Sequence, residues 1–242
     1  MSIILKIDKN LAQDEIIWRY MDIGRLVSML DTSSLWLARA DSFKDCHEGK
    51  FPTEMRSLIE QAYKGMGNIK DNSLLNNADD FQDYLVKNTF ISCWHKNLDE
   101  NMVMWEIYGK NKNSVAVQTT VGHLVSSIEA NKLKGHSLIL KEVSYKGAGE
   151  ITGVLQYEEC FFIKRPHFEF EKEVRISLNT YSSYNPRKDT PMGYQLPVTL
   201  NNFIVSIVVH PDAEMWLYNS VVAIAKKFNL HTVVETGEYG NE

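Results

Sequence analysis

The order in which hydrophobic periodicity changes along the chain is the strongest constraint on its fold. Runs rich in β-branched and aromatic residues read as strands: IIWRYM from 16, LWLARA from 35, TFISCWH from 89, SVAVQTT from 114, SLILKEVSY from 137, FFIK from 161, VRISL from 174, IVSIVVHP from 204 and a closing HTVVET from 231. Segments with helical spacing are set among them. Ile23, Leu26, Val27 and Leu30 predict a helix over about 22–31 capped by Asp22, and Pro52 opens PTEMRSLIEQAYKGM. DFQDYLVKN and MVMWEIYG are shorter helical segments, and Thr120 caps VGHLVSSIEAN. Asp212 is expected to cap DAEMWLYNSVVAIAKKFN, with Trp216, Val222, Ile224 and Phe228 facing the core. A doubly wound sheet needs strand and helix to alternate strictly, which this pattern does not do. One α+β domain over 1–242 is expected, with a mixed or mostly antiparallel central sheet flanked by helices.

Two stretches interrupt the pattern. GNIKDNSLLNNADD, 67–80, is rich in Asn and Asp and reads as a mobile insertion. SSYNPRKDTPMGYQLPVTL carries three of the six prolines and is expected to form no regular element. A chain of 242 residues buries well over half of its unfolded surface and needs no disulfide or metal to fold. Its three cysteines have no paired spacing, which points to a reducing compartment. No apolar run reaches membrane-spanning length and the start has no basic flank, so a cytoplasmic location is expected, with no membrane partner. With 26 basic and 31 acidic side chains, a formal charge of -5 gives no general attraction to nucleic acid or anionic lipid.

Four groups of polar residues carry candidate chemistry, and each has a plainer reading. Arg19 beside Tyr20 offers a guanidinium fork for phosphate or carboxylate and a ring for stacking, or is a surface arginine next to a core-edge tyrosine. On a strand over 89–95, Ser92 and Trp94 face one side and Cys93 and His95 the other. Cys93 and His95, with Cys46 and His47, are the ligand types of a zinc site without finger-like spacing; the alternative is a buried cysteine and a hydrogen-bonded histidine. In HFEFEKEVR an extended backbone would place Glu169, Glu171, Glu173 and Arg175 on one face, opposite Phe168, Phe170 and Val174. Such a cluster either raises one carboxyl toward neutrality for general-base work, keeps it ionised to stabilise a cation, or deters edge pairing. Asp41, Asp45, His47 and Glu48 form a looser set that a divalent ion would suit, though not with calcium-loop spacing. No P-loop, G-x-S-x-G elbow or H-E-x-x-H helix is present.

RYMD with the following GRLVSMLDTSSLWLARADSFKDCHEG, then FISCWH, MVMWEIYG with SVAVQT, RPHFEFEKEVR and the later IVVHPDAEMW resemble a bacterial family named only as domain of unknown function 2971. More distantly, the order of Arg19, Ser92 and Glu171 or Glu173 resembles the ADP-ribosyltransferase fold, although no Ser-Thr-Ser motif follows the middle strand. That resemblance implies NAD as cosubstrate, with Arg19 on the pyrophosphate and Tyr20, Ser92, Trp94, Trp105 and Tyr108 shaping the nucleotide pocket. It also implies Glu173, with Glu171 and Arg19, as the catalytic set, Glu173 stabilising a cationic ribose. The activity implied is that of a transferase or NAD glycohydrolase acting as a toxin or defence factor, with a small nucleotide ligand and a protein or nucleic-acid acceptor. Two other functions remain open from the residues: a ligand-sensing or protein-interaction module built on the same pocket, and a divalent-metal nucleic-acid enzyme built on Asp41, Asp45, Glu48 and a late glutamate. The discriminating geometry is whether Arg19, Trp94 and Glu173 meet in one cleft.

Overall fold

The computed structural model describes residues 4–43, 45, 48–65, 75–133, 136–151, 155–181 and 190–238. In chain order the strands are β1 (Ile4–Ile7), β2 (Ile16–Asp22), β3 (Ser34–Arg39), β4 (Thr89–Lys96), β5 (Ser114–Thr120), β6 (Ser137–Glu142), β7 (Ser144–Tyr145), β8 (Ile163–Lys164), β9 (Glu173–Asn179), β10 (Gly193–Pro197), β11 (Ser206–Val209) and β12 (Val233–Thr236). The helices are α1 (Ile23–Thr32), α2 (Thr53–Gly65), α3 (Ala78–Lys87), α4 (Met102–Met104), α5 (Val121–Ser127), α6 (Leu200–Phe203) and α7 (Met215–Lys227). Ten strands form one sheet in the order β1-β6-β9-β4-β2-β5-β11-β12, with β3 joined to β4 and β10 joined to β3. Among the described residues only β1 with β6 and β11 with β12 run parallel within it. This is the mixed, largely antiparallel sheet of a single α+β domain that the irregular alternation of strand and helix predicts.

Local chemistry explains most element boundaries. The Asp22 side chain accepts a hydrogen bond from the Arg25 backbone N–H and starts α1, which ends at Ser33 in the left-handed conformation. Asn77 and Thr120 cap α3 and α5 in the same way. The insertion expected over 67–80 lies outside the described residues up to 74, and its last part is the entry to α3.

Two expectations fail. Asp212 does not cap α7; its backbone N–H donates to His210 Nδ1 in the turn after β11, and the helix begins three residues later. The buried stripe of α7 is then Leu217, Val221 and Ala225, while Trp216 is left exposed. The proline-rich segment does contain a regular element, because β10 pairs with β3 from Gly193 opposite Ala38 to Pro197 opposite Ser34. Its prolines sit before the strand or at its last position, where a missing N–H breaks no interior rung.

Strand alternation sorts side chains to two faces. Trp94, Phe90, Val174 and Ile176 join the larger core on one face, and Ile91 and Ile139 join Phe161 and Phe162 on the other. The feature that positions the site is a fork. At its start β4 pairs with β3, through Phe90 opposite Arg39 and Ile91 opposite Ala38. At its end it pairs with β2, through His95 opposite Trp18 and Lys96 opposite Ile17. Around 92–94 neither strand pairs with that edge of β4, so β2 and β3 splay apart there while β9 pairs with the other edge throughout.

Candidate functional site

A cavity of about 480 Å³ opens at this fork, a size suited to a small organic ligand. Its walls include Arg19, Tyr20, Trp94, Tyr108, Glu171 and Glu173. Because consecutive strand residues point to opposite faces, Arg19 and Tyr20 would normally be separated by the sheet, as would Trp94 and Glu173. The missing rungs remove that barrier, and residues from both faces reach one space.

Arg19 spans the fork. Its Nη1 donates to Ser92 Oγ on β4 at 2.5 Å and its Nη2 to the Trp36 carbonyl on β3 at 3.1 Å. The guanidinium carbon lies 5.7 Å from the Trp94 ring centroid, in cation–π range. Ser92 Oγ also accepts from Trp94 Nε1 at 3.0 Å, so this buried hydroxyl fixes both the arginine and the indole. Among the described residues no carboxylate pairs with Arg19, and two of its five N–H donors bind protein atoms. Burial lowers its pKa to about 10, Cys93 opposing and Arg25 adding to that shift, so the group is cationic at neutral pH.

The carboxylates come from the opposite face. Arg175 Nε donates to Glu173 Oε1 at 2.7 Å and Nη2 to Oε2 at 3.0 Å, while Lys164 Nζ lies 3.3 Å from Oε2. Lys164 also donates to Glu171 at 2.5 Å, and Tyr108 OH donates to the other Glu171 oxygen at 2.7 Å. Glu48 closes the cluster, 2.9 Å from Arg175 Nη2 and 3.4 Å from Lys164. Three buried carboxylates thus meet two buried cations, leaving a net negative charge. Burial by itself would raise the Glu173 carboxyl, but Arg175 and then Lys164 overcome it and hold the pKa down to about 2. Burial likewise opposes the charge on Lys164, and Glu173, Glu171 and Glu48 outweigh it and push its pKa up.

This geometry corrects the extended reading of HFEFEKEVR. The chain over 166–171 makes tight 3-10 turns and leaves them through Lys172 in the left-handed conformation, so only Glu173 and Arg175 share a strand face. Glu169 points to solvent, while Glu171 reaches the cluster from the turn. Of the roles open to such a cluster, Glu173 takes the ionised one, because Arg175 and Lys164 hold its carboxyl down. MVMWEIYG is not a regular helix either: after α4 the chain widens into a π-turn over Trp105–Gly109, a device common at functional sites. It aims Tyr108 at Glu171 and turns Trp105 away from the cavity. Trp105 stacks edge-on behind Tyr20 at 4.9 Å and donates to Glu100 at 2.8 Å, so it supports the wall without forming it.

Lys164 and Glu48 are the site residues that pattern reading missed in this role. Lys164 left one signal, the first of two adjacent basic residues, Lys164 and Arg165, at the end of the apolar run FFI. Glu48 is followed by Gly49, whose φ of +72° suits glycine and where an added Cβ would stand 2.5 Å from the buried Phe161 ring. Gly49→Ala is expected to lower stability by about 2 kcal/mol or more, from the left-handed backbone and the overpacking together. Urea unfolding checks it; an unchanged midpoint would show that the loop relaxes freely.

The described carboxylates of the metal reading each have a cationic partner. Asp41 pairs with Arg39, Asp45 with Arg165, and Glu48 with Lys164 and Arg175. Among the described residues no group of three His, Cys, Asp or Glu side chains is placed to hold a metal ion. Cys46 and His47 lie outside the described residues. Cys93 stands opposite Arg175 across the β4–β9 ladder, and burial pushes its thiol well up, further helped by Glu173. Among the described residues no helix is long and apolar enough to cross a membrane.

No family model matches the chain, so the likeness to the domain-of-unknown-function 2971 family stays a resemblance, and no curated protein matches it. Among solved structures the chain is similar to DarT of Thermus sp. 2.9 in complex with NAD+, at 13% identity and TM-score 0.39, covering 94% of this chain and 97% of that one. The same protein in complex with ADP-ribosylated ssDNA gives 13% identity and TM-score 0.40, with 94% and 96% covered. In complex with carba-NAD+ it gives 12% identity and TM-score 0.41, with 93% and 96% covered. Similarity at this level assigns no activity to the chain.

Proposed function

We propose that this protein uses NAD and breaks the bond between nicotinamide and ribose, passing ADP-ribose to an acceptor or to water. The observation that carries the reading is the convergence of Arg19, Trp94 and Glu173 on one cavity. Its electrostatics match a ligand with charges of both signs. Among the described residues Arg19 is a cation without a carboxylate partner, which suits a pyrophosphate, and Glu171 and Glu173 form an anionic wall, which suits a pyridinium and the ribose cation it leaves behind. Tyr20, Trp94 and Tyr108 supply aromatic surface.

In the step proposed, the C1′–N bond breaks and nicotinamide leaves neutral with the bonding pair. Positive charge grows on the ribose beside carboxylates that stay ionised. An X–H nucleophile then bonds to C1′ and its proton is released. A protein or nucleic-acid acceptor would make the activity that of a toxin or defence factor, working in the cytoplasm where NAD is available.

Calorimetry with NAD, followed by nicotinamide release in the presence of protein and oligonucleotide acceptors, tests the reading. Arg19→Gln is expected to weaken NAD binding by about 10- to 100-fold, the worth of charge-assisted hydrogen bonds. A wild-type protein that neither binds NAD nor releases nicotinamide sinks the proposal. The sensing alternative draws on one observation, that Glu173 is held by two cations; NAD binding with no turnover under any acceptor would favour it.

A further inference from the structure

Among the described residues, His95 is the cavity side chain that carries a fully buried polar atom with no hydrogen-bond partner. It is 2% exposed, lines the cavity, and has Nδ1 2.7 Å from the main-chain carbonyl oxygen of Glu171. A carbonyl oxygen only accepts, so Nδ1 carries the hydrogen and, in the neutral ring, Nε2 keeps its lone pair. Nε2 is buried and has no partner among the described residues. Buried polar atoms are nearly always paired, so this acceptor is built for a donor that the protein does not supply.

The other titratable groups of the cavity are unsuited to taking a proton at neutral pH. Glu173 is stabilised as an anion by Arg175 and Lys164, and Glu171 already accepts from Lys164 and Tyr108. Arg19 is a cation, and the Cys93 thiol and the Tyr20 and Tyr108 hydroxyls are pushed up, chiefly by burial, so they stay protonated. The His95 imidazole is pushed down by burial, partly offset by its bond to the Glu171 carbonyl, and is neutral at pH 7.

Resting on the NAD reading above, we propose that His95 is its general base: Nε2 takes the proton of a neutral O–H or N–H acceptor as that acceptor bonds to ribose C1′. The electron pair of the acceptor forms the new bond, nicotinamide having left with the old one, and the proton moves to Nε2 and then to solvent. Lysine and arginine acceptors are disfavoured, because an ammonium or guanidinium has no free pair until a base far stronger than imidazole deprotonates it. The acceptor is therefore an alcohol, water or an amide-like N–H.

The groups facing His95 are Tyr20 from β2, with rings 6.4 Å apart, Cys93 on β4, Tyr108 from the π-turn, and Glu171, Lys172 and Glu173 from the turn into β9. Burial pushes the His95 imidazole below its ordinary value, so turnover is expected to be flat at neutral pH and above and to fall on acidification.

Two measurements test the proposal. In ¹⁵N-histidine NMR of the wild-type protein at pH 7.5, His95 is expected in the Nδ1–H form; finding the proton on Nε2 overturns it. His95→Asn keeps a donor at the Nδ1 position and removes the Nε2 acceptor. It is expected to bind NAD within threefold of wild type, to transfer ADP-ribose to methanol or water about 10²- to 10⁴-fold more slowly, and to lose the acid limb. Agmatine, a guanidinium probe, is expected not to compete with methanol. Wild-type turnover and an unchanged acid limb in His95→Asn overturn the role of His95 alone, whereas wild-type protein inert toward NAD overturns the NAD reading itself.

Discussion

Arg175→Met is expected to destabilise the fold by about 3 to 5 kcal/mol, the cost of leaving buried charge uncompensated. Arg175 is 1% exposed and makes bonds to Glu173, Glu48 and the Phe161 carbonyl. With methionine there, Lys164 alone would face three buried carboxylates. The loss is a large part of the 5 to 15 kcal/mol that holds a typical domain together. Urea unfolding should show a lower midpoint with an unchanged slope. The pH dependence identifies the cause. The Glu173 carboxyl is held below its ordinary value, so its contribution is fully present above about pH 4.5 and is lost as pH falls through about 2. The gap between wild type and variant should narrow across that window. A gap of equal size at pH 7 and pH 3 would assign the loss to packing instead.

The fold was legible wherever local chemistry decides it. Asp22 and Thr120 cap helices as their sequence context predicts, and β-branched runs became strands at Thr89–Lys96 and Ser114–Thr120. It was not legible where a distant partner decides. GYQLP has little strand character, and becomes β10 because the edge of β3 is open to it. Asp212 looks like a cap, but the helix starts three residues later and Glu214 takes the cap position. The site divides the same way. Arg19, Trp94 and Glu173 were identifiable as unusual residues at element ends, yet nothing in the sequence shows that β4 exchanges one neighbour for another between Ile91 and His95. That exchange opens the sheet and unites two faces, and it is a property of register. Ser92 and Trp105 illustrate the limit: both belong to the site's support, one holding Arg19 and the other backing Tyr20, and spacing cannot separate support from wall.

Glu173→Gln is expected to lower nicotinamide release by about 10²- to 10³-fold, in the range lost when one preorganised electrostatic contact to a transition state is removed. Gln keeps the shape and the accepting oxygen for Arg175 and removes the charge. The ground-state ligand already carries a pyridinium charge, so some binding is lost as well, but charge on the ribose exists only as the bond breaks. The effect should therefore fall mainly on turnover, with NAD affinity changed by no more than about tenfold. Stability must be followed in parallel, since the substitution weakens a bond to the buried Arg175. Glu48 still accepts from Arg175 Nη2 and Phe161 from Nη1, so the arginine is not stranded and the variant should fold. A folded Glu173→Gln protein that releases nicotinamide at the wild-type rate would remove Glu173 from the chemistry. The anionic cluster would then be a structural clamp between β9 and Lys164, and the cavity a binding site whose reactive group lies elsewhere.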